Sequence, residues 1–240
     1  MTDLPPCVAP LRRMPTGIEG LDHLLYGGLF IGSTYMVIGP TGMGKTILVN
    51  QVSFNTVAAG GRVLYLSLFA EQHVQMFSYL QSFDFFDADV IGKNLVYFSL
   101  YSIFESDGWQ GILTYIRQET RRHQATLVVV DGLPNRLDRD HGPITALRFL
   151  HDMQSFIYSM QATLLLTTIG NFRPGSQPEQ MVIDGIIALG EGIPPQGHTE
   201  LTIQKFRGSP FVRGTHRFAI LPSGITVTPQ VIAQSEESGL

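Results

Sequence analysis

The sequence predicts an α/β protein with a mainly parallel central sheet, helices on both faces and a C-terminal antiparallel extension. Three observations predict it. Short β-branched and apolar runs alternate with helical stretches at the spacing of βαβ units. A glycine-rich turn joins the first such run to the first long helical stretch. After residue 180 the rhythm changes to short strand-like runs separated by turns.

The elements follow in order. Residues 1–12 form a tail with three prolines. A turn and short helix open at Pro15-Thr16-Gly17-Ile18-Glu19-Gly20-Leu21-Asp22 and end at Gly27-Gly28. Ser33–Ile38 has the length and composition of a buried strand. A helix runs from Lys45 to Ala59 and stops at Gly60-Gly61. Strands are expected at Arg62–Leu68, Asn94–Phe98, Thr126–Asp131 and Thr163–Thr168. Helices are expected at His73–Phe83, Trp109–His123 and Pro143–Gln161. Gly185–Leu189, Thr199–Phe206, Arg217–Ile220 and Ile225–Thr228 read as the antiparallel extension. Residues 13–228 make one domain, and 229–240 a second tail.

Bulk properties narrow the function. A hydrophobic fraction of 44% against 15% charged suits a packed core. The net charge of −4 disfavours non-specific binding to nucleic acid or anionic lipid. Cys7 is the single cysteine, so no disulfide forms within the chain and a reducing compartment is expected. The first residues lack the basic-then-apolar layout of a signal peptide, and no apolar run reaches membrane-spanning length. The expected location is the cytoplasm.

The glycine-rich turn carries the chemistry. Gly39-Pro40-Thr41-Gly42-Met43-Gly44-Lys45-Thr46 fits G-x-x-x-x-G-K-[ST], with a strand before it and a helix after it. Glycines let backbone N–H groups converge on phosphate oxygens, and the helix start presents its positive dipole end. Lys45 is placed to reach the outer phosphates, and the Thr46 hydroxyl to bind Mg²⁺. Asp131 ends the apolar run Leu127-Val128-Val129-Val130, at the strand end where open α/β sheets bind ligands. There it would hold the same Mg²⁺, through water.

Beyond the cradle, Thr16-Gly17-Ile18-Glu19-Gly20-Leu21-Asp22, Gly27-Gly28-Leu29 and the late Lys205-Phe206-Arg207-Gly208-Ser209 resemble KaiC-type ATPases of the RecA superfamily. Gly214, Phe218 and Gly224-Ile225-Thr226-Val227 extend the likeness, which spans residues 13–228, one such domain. The resemblance implies a RecA-like core and a homo-oligomeric ring, most often a hexamer, with ATP at the seams. It also implies that Lys205 and Arg207 reach the γ-phosphate held by a neighbour. A cation supplied in trans neutralises charge developing on the transferred group. Their i, i+2 spacing puts both on one face of a strand.

The departures from that pattern bear on rate. The family places two adjacent glutamates after the second strand, and one acts as base. Here the stretch is Leu68-Phe69-Ala70-Glu71. Alanine neither accepts a proton nor orients water, so Glu71 is the candidate base. Loss of a well-placed base slows hydrolysis by about 10²–10⁴-fold. Gly132 follows Asp131 where relatives often carry serine, and Phe211 stands where the clock proteins have histidine. The expectation is a slow ATPase. An alternative is an assembly or signalling module gated by ATP binding, with a protein partner. A RecA-type DNA-associated ATPase is disfavoured, because the candidate loops Asn135–His141 and Gly170–Glu179 carry few basic and aromatic residues. The seven histidines form no metal-ligand spacing, and Phe83-Asp84-Phe85-Phe86-Asp87 reads as packing.

Overall fold

A computed structural model of the chain describes residues 11–68, 73–134, 143–172, 179–192 and 199–230. Within these residues the strands are β1 (Arg13–Met14), β2 (Leu29–Phe30), β3 (Thr34–Gly39), β4 (Val63–Ser67), β5 (Leu95–Ser99), β6 (Leu127–Leu133), β7 (Thr163–Ile169), β8 (Gly185–Glu191), β9 (Thr199–Phe206), β10 (Thr215–Leu221) and β11 (Gly224–Thr228). The helices are α1 (Glu19–Leu24), α2 (Lys45–Ala58), α3 (His73–Leu80), α4 (Tyr101–His123), α5 (Pro143–Met160) and α6 (Glu179–Val182).

One nine-stranded sheet has the order β11-β10-β9-β8-β3-β7-β6-β4-β5. The six strands from β8 to β5 are parallel, and β9, β10 and β11 continue antiparallel. Buried parallel strands need apolar residues on both faces. β3, β4 and all of β6 except Gly132 meet that demand with buried residues throughout. Alternation returns in β11, where exposed Thr226 and Thr228 flank buried Val227. One core lies between the sheet and α1 and α2. The other lies beneath α4 and α5, around Trp109, Ile112, Phe149 and Ile157. No helix among the described residues is long and apolar enough to cross a membrane.

Three details differ from the expectation. β8 was expected in the antiparallel extension, yet it runs parallel to β3, with Met36 opposite Ile186. The connection over residues 170–184 contains α6 and is long enough for a crossover. Asp184 secures the return: its N–H donates to Thr34 O, and its carboxylate accepts from Thr34 N, both at 2.9 Å. α4 also begins earlier than Trp109. Its path crosses a kink at Gly108, whose φ of 57° and ψ of −151° are not helical. Finally, β1 and β2 form a small antiparallel pair that was not expected. The aromatic run at 83–86 is packing, as read: Phe83 stacks on Phe85, and Phe85 and Phe86 both meet Phe54. Residues 135–142 and 173–178, which include most of the two loops weighed for DNA, lie outside the described residues.

Candidate nucleotide site

The cradle leaves β3 at its C-terminal end, and α2 begins at its close. Gly39 has no room for a side chain, since an added Cβ would lie 2.7 Å from Leu189 O. Gly42 and Gly44 have φ of 84° and 83°, a region that favours glycine. Gly44 is the N-cap of α2 and supplies no side-chain cap. The first N–H groups of α2 thus keep their capacity for an anion, at the positive end of a 14-residue helix.

Lys45 is buried and donates from Nζ to Gly39 O at 2.8 Å and Pro40 O at 2.7 Å. The ammonium therefore lies across the loop it serves. Burial lowers its pKa, and the nearby Asp131 charge opposes that shift.

Asp131, 2% exposed at the end of β6, collects hydroxyl groups. Thr46 Oγ1 donates to its Oδ2 at 3.0 Å, Tyr65 OH donates to the same oxygen at 2.8 Å, and Thr167 Oγ1 donates to Oδ1. Thr167 Oγ1 in turn accepts from Gly132 N at 2.9 Å. α2, β4, β6 and β7 thus meet at one carboxylate. Burial, and then the Asp131 charge, push the Tyr65 phenol well above its ordinary value, so it stays a donor. Behind it, Asn50 Nδ2 donates to Tyr65 OH at 3.0 Å and to Thr46 O at 2.8 Å, and Asn50 Oδ1 accepts from Tyr97 OH at 2.8 Å. Sequence reasoning did not find Asn50, Tyr65 or Thr167. A tyrosine inside an apolar strand was a usable signal, because a buried phenol needs a partner.

A cavity of about 420 Å³ opens over these groups, with Thr41, Lys45, Thr46, Ser67, His73 and Asp131 in its wall. Thr46 Oγ1 and Asp131 Oδ2 are neighbouring hard oxygens at its floor. That donor set fits Mg²⁺, which takes one or two protein oxygens together with phosphate and water. Among the described residues no three His, Cys, Asp or Glu side chains are grouped to hold a metal unaided. Glu71 and Ala70 lie outside the described residues.

Lys205 and Arg207 sit at the other end of the sheet. Lys205 pairs with Ile186, and the Arg207 N–H donates to Asp184 O, level with Thr34 at the start of β3. From Thr34 to Gly39 is five steps of strand, roughly 17 Å, and Lys205, level with Met36 through Ile186, lies three steps, roughly 10 Å, from Gly39. The two side chains do share a face, since Lys205 Nζ at 3.1 Å and Arg207 Nη2 at 2.7 Å both donate to Met181 O. Arg207 Nη1 lies 3.6 Å from Asp184 Oδ1. Burial, and then Arg207, lower the Lys205 pKa. Phe211 packs against the core, with the Arg213 guanidinium 5.5 Å from its ring.

The flanking motifs have a different job. Asp22 Oδ1 accepts from Thr16 N and Thr16 Oγ1 at 2.8 Å each, and its Oδ2 accepts from Gly17 N at 3.0 Å. Asn55 Nδ2 donates to Thr16 O at 3.0 Å, tying that turn to α2. A Cβ at Gly20 would lie 1.8 Å from Val227 O, so α1 can rest on β11 only with glycine there. The late motif joins the early one through Arg13, whose Nη2 donates to Ser209 Oγ at 2.6 Å. Its guanidinium stands 4.1 Å above the Phe30 ring.

A RecA-like sheet with a phosphate cradle at the end of β3 defines a P-loop nucleotide-binding protein. The profile of the KaiC ATPase family matches residues 14–232, and the chain belongs to that family. It is 23% identical to the circadian clock oscillator protein KaiC 1 of a Synechocystis strain, over 91% of this chain and 44% of that protein. The chain thus spans under half the length of that relative. It is 26% identical to a UPF0273 protein of Pyrococcus horikoshii, over 92% of this chain and 96% of that one. Among solved structures, a KaiC-like protein of the hyperthermophilic Pyrococcus horikoshii OT3 superposes with a TM-score of 0.76 and 25% identity. That match covers 92% of this chain and all of the other. ATP binding and an ATPase domain are therefore properties of its family.

Proposed function

We propose that this protein is an Mg²⁺-dependent ATPase with slow turnover, and that it works as a homohexameric ring with ATP at the subunit seams. One observation carries the reading. Its Lys205–Arg207 pair is turned towards the opposite end of the sheet from the cradle, with Lys205 level with Met36 and Arg207 with Thr34, roughly 10 Å and 17 Å along β3 from Gly39. Both side chains turn away from their own chain's cradle, to Met181 O, and in this reading a neighbour supplies the second pair. Gly39–Thr46 hold the phosphates, with Lys45 on the outer ones. Thr46 and Asp131 hold Mg²⁺, which when bound neutralises charge on the phosphates. Glu71 takes the proton of the attacking water. The partner subunit's Lys205 and Arg207 neutralise the charge that develops on the γ-phosphate. Release of that pair from Met181 O accompanies ring closure.

The Ala70 position supports a second reading, in which ATP binding sets the assembly and so the affinity for a protein partner, with little hydrolysis. An ATPase assay with Glu71→Gln, run beside size-exclusion chromatography in ADP, in ATP and without nucleotide, separates the two. The first reading expects turnover that falls about 10²-fold in the variant, together with a ring in ATP. Unchanged turnover removes Glu71 from the mechanism. A ring that forms with ATP in the absence of turnover favours the second. A monomer in all three conditions defeats both.

A further inference from the structure

Where α4 ends and leads into β6, the surface carries charge to which the nucleotide site gives no role. Arg62, just before β4, is joined to that corner: Thr126 N donates to Arg62 O at 2.8 Å, and Arg62 Nη1 donates to Gln124 Oε1. The cradle lies beyond the opposite end of these parallel strands. Arg62, residues 117–124 of α4 and its cap, and residues 148–152 of α5 together hold five arginines and two carboxylates, in a chain of net charge −4. Both carboxylates are engaged. Glu119, 3% exposed, lies 3.7 Å from Arg122 Nη1 and 3.2 Å from His123 Nε2, and Asp152 Oδ2 lies 4.0 Å from Arg148 Nε. Arg117 and Arg121 make no ion pair among the described residues. Instead both are held over one ring, with guanidinium carbons 5.9 and 5.1 Å from the Phe156 centroid, and Arg117 Nη2 donates to Asp152 O at 3.5 Å. Basic residues in the last turn of a helix offset its negative end, and Arg121, Arg122 and His123 do so in α4. Arg117 stands outside that turn. It adds a second positive charge over Phe156, and two like charges held at one ring favour an anion between them.

We propose that Arg117 and Arg121 are the centre of a docking surface for an acidic segment of a partner protein. Their planar guanidinium groups, braced on Phe156, present paired donors that match side-chain carboxylates. Arg62 and Arg148 extend the positive field beyond them. A nucleic acid fits this surface less well. Phe156 is 5% exposed beneath the guanidinium groups and offers no face on which a base can stack, and the net negative charge of the chain repels a long polyanion outside the patch. The surface goes beyond the ATPase reading and does not depend on it.

The test measures binding of a fluorescent oligoglutamate peptide to the whole chain by anisotropy, across a range of salt, with a single-stranded oligothymidylate of equal charge in parallel. Arg117→Gln combined with Arg121→Gln is compared with Arg213→Gln combined with Arg217→Gln, which removes the same charge from two other exposed positions. Wild type is expected to bind the peptide, and less tightly as salt rises. The Arg117/Arg121 glutamine pair should weaken binding about 10-fold, and the Arg213/Arg217 pair should leave it close to wild type. Arg117→Lys combined with Arg121→Lys, which keeps the charge, should recover part of the loss. Melting temperature and ATP affinity should stay close to wild type throughout. Absence of peptide binding by wild type at low salt overturns the proposal. So does an equal loss in the two glutamine pairs, or a loss that tracks a fall in melting temperature in both the glutamine and lysine variants of Arg117 and Arg121. Tighter binding of the oligothymidylate than of the peptide, lost with the same two arginines, overturns it in favour of nucleic acid.

Discussion

The two ends of the parallel sheet are built differently. At the C-terminal end of β3 the polar groups converge and are tied to one another. Asp131 takes three hydroxyl hydrogen bonds, and Lys45 lies across two carbonyls of the loop. At the N-terminal end two cations share an exposed carbonyl at Met181, on a four-residue helix, and Arg207 also lies beside the Asp184 carboxylate. The first arrangement is pre-organised, so a phosphate meets donors already in place. The second lies at the surface, where its cations are open to an acceptor from a neighbour. Under the proposed function, the difference makes phosphate binding and charge neutralisation separate duties within this chain. Each duty should therefore fail by itself.

The largest effect breaks the cradle end. Lys45→Ala removes the buried ammonium of the cradle, and ATP affinity should fall about 10²-fold, in line with loss of hydrogen bonds to a charged group. Titration calorimetry checks it, and Lys205→Ala in the isolated subunit should leave that affinity unchanged. Gly20→Ala tests the scaffold that holds the two ends in register. A Cβ 1.8 Å from Val227 O must push α1 off β11, at a cost of about 1–3 kcal/mol in denaturant unfolding. Both ends should still bind their partners once folded. The smallest change is Tyr65→Phe, which removes one of the three donors to Asp131. Stability should drop by about 1 kcal/mol, with ATP affinity nearly kept, because Thr46 and Thr167 still hold the carboxylate.

Much of this was legible in the sequence, for physical reasons. The cradle is local: eight consecutive residues, a strand before and a helix after. Asp131 shows itself through the apolar run that carries it. The strands and long helices follow from their periods of hydrophobicity. Other features depend on which strands meet. Tyr65 and Thr167 lie far apart in sequence, and their meeting at Asp131 requires the order β7-β6-β4, while Asn50 joins them only through Tyr65. Gly20 looks like any turn glycine until β11 is laid against it. β8 resembles the short strands after it, and only its pairing with β3 makes it parallel. β1 and β2 have two residues each, too few to show a period.

The separation of duties is tested most directly by mixing two inactive variants. Lys45→Ala lacks the cradle lysine but carries an intact Lys205–Arg207 pair, and Arg207→Ala is the reverse. Alone, Arg207→Ala should keep ATP affinity and lose about 10³-fold in turnover, as removal of a cationic finger does. Mixed under conditions that allow subunits to exchange, the two should regain turnover that neither has, because intact halves then meet at some seams. Arg207→Ala with wild-type turnover, or a mixture no more active than its components, would contradict the split site.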